Sequence, residues 1–114
     1  MDIEKRLADY LTTSVGVLAQ PDVPRKRPDR FITVERTGGP LENVVIDRAT
    51  VAVQCWAASR YEASALAARA DAALASFSQE PGVTAVKRQS LYNFPDPTSG
   101  LARYQLVVEI TTIR

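Results

Sequence analysis

The residues able to do chemistry in this chain are few: one cysteine, thirteen carboxylates and fourteen Lys or Arg side chains, with no histidine. Every triad or general base built on imidazole is therefore excluded, as is any histidine-containing metal site. Cys55 lies in an apolar run without a second cysteine, so a buried, reduced thiol is expected, with no disulfide and no thiolate cluster. Among the acids, Asp96 sits in a proline turn, and Glu35 and Glu109 could share a sheet face. No spacing brings two of them together, and solvated or salt-bridged carboxylates are the expected state. Gly38-Gly39 lacks both the lysine and the following helix of a phosphate-binding loop and reads as a turn. No catalytic residue, cofactor or metal is assigned, and the chain is not expected to be an enzyme.

What remains is surface chemistry. Tyr92-Asn93-Phe94-Pro95-Asp96-Pro97-Thr98-Ser99-Gly100 is too elaborate for a plain hairpin turn. Two prolines fix φ near −65° and bias Phe94 and Asp96 toward extended backbone, while Gly100 permits a left-handed return. A stiff loop loses little entropy on docking, so Tyr92, Phe94, Pro95 and Asp96 form a candidate contact surface. Tyr92 and Phe94 could equally fold over the open end of the core. Trp56 has two readings as well: cap of the core at a strand end, or anchor in a subunit interface. Arg25, Lys26, Arg27 and Arg30 make the one basic cluster, a solvated loop or a contact to phosphates or an acidic partner. Without interleaved aromatic residues the solvated reading is preferred.

These residues must be positioned by regular elements. Asp2 can cap a helix over Ile3 to about Thr13, with Ile3, Leu7, Tyr10 and Leu11 at helical spacing. Gly16, Pro21, Pro24 and Pro28 predict a loop from Ser14 to Arg30. Alternation predicts a strand over Arg30 to Thr37, ended by Gly38-Gly39-Pro40, and a second over about Val45 to Trp56 with Val51, Val53 and Cys55 on one face. Ser59 and Glu62 have capping-box spacing at the head of an alanine-rich helix running to about Phe77. Val83 to Leu91 forms a third strand of mixed parity, near an edge because of Lys87 and Arg88. Tyr104 to Ile113 forms the fourth. The order αββαββ implies an α+β domain over residues 1–114, one antiparallel-rich four-stranded sheet with two helices packed on one face.

A chain of this size buries roughly two thirds of its unfolded surface, so oligomerisation would help stability. The net charge of +1 argues against a dedicated nucleic-acid binder. No stretch approaches the roughly 20 apolar residues of a membrane span, and the N-terminus lacks a signal-peptide pattern, which predicts a cytoplasmic protein without membrane contact.

In order and spacing the chain resembles the tail terminator, or tail-completion, proteins of long-tailed bacteriophages and prophages, also described as head-tail joining proteins. The matching features are the opening helix, Arg30 to Gly39, Val53-Gln54-Cys55-Trp56-Ala57 before the alanine-rich helix, and Tyr92-Asn93-Phe94-Pro95-Asp96 followed by Arg103-Tyr104-Gln105. The resemblance implies a structural, virion-associated protein assembled in the host cytoplasm. It implies a homo-oligomeric ring, commonly a hexamer, on the end of the tail tube, stopping tube polymerisation and joining the capsid neck. The implied partners are further copies, the tail tube protein, the head-neck connector and DNA passing through the channel without sequence-specific binding. Other neck ring subunits share this size and layout, and a cellular ligand-binding or regulatory α+β module is the alternative from another class.

Overall fold

Asp2 caps the first helix, its carboxylate accepting the Lys5 amide at 3.2 Å; the computed structural model describes residues 2–40 and 45–113. The single-domain expectation over 1–114 also covers 1, 41–44 and 114, which lie outside the described residues. Helix α1 spans Ile3–Val15, past the expected end at Thr13, because Val15 adds a further buried position to the Ile3, Leu7, Leu11 stripe. Gly16, at φ 78°, then closes the helix in the left-handed conformation.

The expected loop from Ser14 to Arg30 holds a short strand, β1 (Ala19–Gln20), parallel to β2 (Arg30–Gly38). Two residues cannot display a period. Their strand geometry comes from distant partners instead: the Thr12 hydroxyl accepts the Ala19 amide at 3.0 Å, and the Ile32 amide donates to the Leu18 carbonyl at 2.8 Å. Strand β3 (Ile46–Ala57) leads to α2 (Arg60–Ser76), followed by a single 3-10 turn, then β4 (Val83–Asn93) and β5 (Ala102–Ile113). Among the described residues the sheet therefore has five strands in the order β1-β2-β3-β5-β4, not the four of the αββαββ reading, and it is mixed because of β1. Since β3 and β4 both run antiparallel to β5, they are parallel to each other. Helix α2 is the crossover between them, with β5 inserted in the gap.

Ser59 caps α2 by accepting the Glu62 amide at 3.2 Å. Glu62 returns only to the Ser59 hydroxyl, at 3.4 Å, so half of the reciprocal capping box is formed. The alternating residues Ile32, Val34, Val51, Val53, Cys55, Leu106, Val108 and Ile110 are all buried in one cluster with Leu7 and Leu11 of α1 and Leu66, Ala70 and Leu74 of α2. Both helices thus lie on one face, and each large apolar side chain removed from water contributes roughly 1.5–3 kcal/mol. Direct pairing of Val53 with Leu106 and of Val51 with Val108 fixes the register, which leaves Gln54 and Gln105 on the opposite face.

Strand β4 is an edge strand, as its charges predict. Register shifts between Val83 and Ala85 and between Arg88 and Ser90 explain its mixed parity, because each extra residue exchanges the two faces. At the far end of the sheet, the Arg36 guanidinium grips Asp47 through two bonds of 2.7 and 2.9 Å and donates to the Gly38 and Gly39 carbonyls, both at 3.2 Å. Glu4 of α1 accepts the Arg36 amide at 2.8 Å, so that edge position of β2 is occupied.

Candidate functional site

The open face of the sheet is built by the side chains that alternation points away from the helices. Across it, hydrogen bonds step from strand to strand. Trp56 Nε1 donates to Thr33 Oγ1 at 3.1 Å, Thr33 Oγ1 donates to Gln54 Oε1 at 3.1 Å, Gln54 Nε2 donates to Gln105 Oε1 at 2.7 Å, and Gln105 Nε2 donates to the Tyr92 hydroxyl. A set of ring contacts returns to the start. Tyr92 meets Phe94 with centroids 5.8 Å apart; the Arg103 guanidinium lies 4.3 Å from the Phe94 ring centre and 4.8 Å from that of Trp56. Seven side chains from four strands and a loop thereby form a closed circuit. Phe31 stacks on Trp56 at 5.3 Å with 14° between planes, and Arg27 approaches Trp56 at 5.8 Å.

The candidate residues are placed unequally. Tyr92 and Phe94 remain 41% and 40% exposed, so neither is a closed core cap. Trp56 does point to the open face, but only 3% of it is accessible. It presents almost no surface of its own and supports Arg103, which it helps to hold beneath Phe94. Tyr92 belongs to β4 rather than to the loop, which is shortened to Phe94 through Leu101. Pro95 lies between two backbone bonds across the hairpin, from the Phe94 amide to the Arg103 carbonyl at 2.8 Å and from the Asp96 amide to the Leu101 carbonyl at 3.4 Å, and Arg103 Nε donates to the Phe94 carbonyl at 2.7 Å.

Asp96 is turned onto its own loop. Its carboxylate accepts the Ser99 hydroxyl at 2.6 Å and the Thr98 and Ser99 amides at 3.2 and 3.3 Å. The Ser99 hydroxyl bond, with the two amides and Arg103 nearby, holds this carboxyl below its ordinary range. Gly100 takes the left-handed conformation that the loop requires, at φ 73°. In the basic loop, Arg27 reaches the aromatic stack, Arg25 and Lys26 are exposed, and Arg30 opens β2 with the parity of Ile32, on the helix side.

Elsewhere the chemistry is quiet. Burial pushes the Cys55 thiol up to about 12, which keeps it protonated. Among the described residues, no group of three or more His, Cys, Asp and Glu could hold a metal ion, and no helix is long and apolar enough to cross a membrane. A cleft of about 300 Å³ lies between α2 and β4, lined by Asp71, Arg88, Gln89, Ser90, Leu91 and Leu106; Arg88 and Asp71 pair across it at 2.9 Å. No protein-family model matches the chain, and no curated protein matches it.

Arg103 and Phe31 are site residues that the sequence did not single out, and Thr33, Gln54 and Gln105 were legible only as members of the Trp56 face of the sheet. Alternation assigns Thr33, Gln54 and Gln105 to one face, but their contact depends on the registers Thr33 with Gln54 and Gln54 with Gln105, set by non-local pairing.

Proposed function

We propose that this chain is a structural subunit of a long-tailed bacteriophage or prophage, a tail terminator that closes into a homo-oligomeric ring at the end of the tail tube, stops tube growth and joins the neck. The supporting observation is the pair Phe94 and Tyr92, about 40% exposed in the isolated chain yet held by the circuit through Arg103 and Gln105. Aromatic area fixed before docking loses little entropy, which suits an interface anchor. Ring closure joins two different patches head to tail, and this loop serves as one of them. Light scattering on the eluting protein tests the reading. A closed multiple, expected to be six, supports it, and a persistent monomer or a two-fold dimer at high concentration contradicts it. The second reading, a ligand-binding or regulatory module, is favoured by the α2–β4 cleft with its Asp71–Arg88 pair, since convergent polar groups over apolar Leu91 and Leu106 suit a small ligand.

A further inference from the structure

We infer that the open-face end of the sheet binds the backbone of single-stranded nucleic acid, with phosphates on Arg25, Lys26, Arg27 and Arg103 and bases against Phe94 and Tyr92. Sequence alone shows a basic run without aromatic neighbours. Folding supplies them: Arg27 and Arg103 both lie over Trp56, and Arg103 also lies under Phe94, so the basic loop and the exposed rings share one surface. Cations beside accessible aromatic faces are the arrangement that holds unpaired strands without regard to sequence. The cations are mostly guanidinium groups, whose planar fork matches phosphate oxygens. Of the acids nearby, Asp22 and Asp29 lie in the basic loop itself, while the Asp96 carboxylate is occupied by Ser99 and Thr98. A single strand is favoured over a duplex because only unpaired bases can reach Phe94 and Tyr92.

The inference goes beyond ring formation and concerns the chain before assembly, read at concentrations where light scattering shows the monomer, because the ring would cover the Tyr92 and Phe94 faces that are about 40% exposed in the single chain. Trp56 is the only tryptophan and touches both Arg27 and Arg103, so its emission reports on the site directly. The probe is a labelled oligothymidylate of roughly 16 nucleotides, a length within the range one small domain covers. Binding is expected by anisotropy at about 50 mM salt, with a change in Trp56 emission. The log–log salt slope should be near −3, from about 0.7 per neutralised phosphate. The exposed double substitution R25A/K26A should cut affinity about tenfold and flatten the slope by about 1.4. No binding, unchanged binding in R25A/K26A, tighter binding of a duplex of equal length, or equal binding of polyglutamate would each overturn the inference. Light scattering separates this from the assembly reading: R25A/K26A keeps the oligomer mass, whereas Phe94→Ala loses it.

Discussion

Gly39 is the residue whose backbone leaves least choice. It sits at φ 101°, and a Cβ there would meet the Arg48 carbonyl oxygen at 2.2 Å, a rigid backbone atom that cannot move aside. Gly39→Ala should therefore cost on the order of 3 kcal/mol, combining left-handed strain with the clash. Gly38 is the control, because a Cβ there meets nothing within 4 Å, and Gly38→Ala should stay under about 1 kcal/mol. Denaturant midpoints of the two variants check the difference; equal midpoints contradict it. Phe94 is decided at the same scale. Its ring meets Arg103 and Tyr92, and 40% of it is open. Phe94→Ala should lower monomer stability by no more than about 1 kcal/mol, the size of an exposed cation–π contact, while costing association about 2 kcal/mol. A large drop in the melting temperature of the dilute monomer with normal assembly would remove Phe94 from the interface.

At the scale of elements, the loop from Phe94 to Leu101 is held by a carboxylate as well as by its prolines. Asp96 titrates below its ordinary 3.8, chiefly because the Ser99 hydroxyl donates to the ionised form. A depressed carboxyl stabilises the fold above its unfolded value, and that contribution is lost as pH falls through the lower folded value. Amide NMR signals of Thr98 and Ser99 should consequently move only below pH 3.8, while core amides stay still. Movement centred at the ordinary value would refute this account. The β2–β3 hairpin depends on a different acid. Asp47 is 4% exposed and holds Arg36 with two bonds, and Arg36 also secures the Gly38 and Gly39 carbonyls. Asp47→Ala strands a partly buried guanidinium and should destabilise by about 3 kcal/mol. The paired change Arg36→Met with Asp47→Leu should recover much of that loss, which calorimetric melting of the single and double variants will show.

For the whole molecule, a radius of gyration of 13.6 Å makes one copy too small to enclose a DNA channel, so the proposed role requires several. The two sheet edges differ in a way that bears on assembly. The β2 edge is shielded by β1 and by Glu4 of α1, whereas the long β4 edge is exposed but carries Lys87, Arg88 and two register shifts, features that discourage strand pairing with other chains. Assembly through faces and loops rather than through continuous sheet is the expected outcome. Hydrogen exchange on the assembled protein should protect the region around Tyr92 and Phe94 and leave the amides near Lys87 and Arg88 exchanging; the reverse pattern would argue for edge-to-edge assembly.

Local chemistry in the sequence was enough to specify both helix starts, the alternation of three of the strands, the side of the sheet that each of those three buries and the stiffness of the proline loop. Caps act within three or four residues, and strand faces follow from a period of two, so neither needs a distant partner. Tertiary structure decided what depends on distant pairing. Ala19–Gln20 is a strand only because Thr12 and Ile32 meet it, and the edge strand β4 changes faces only because its register slips against β5. Arg103, which looks like one more outward residue of an alternating strand, becomes the centre of the site. Antiparallel pairing sets it opposite Trp56, and the returning loop lays Phe94 over its other side.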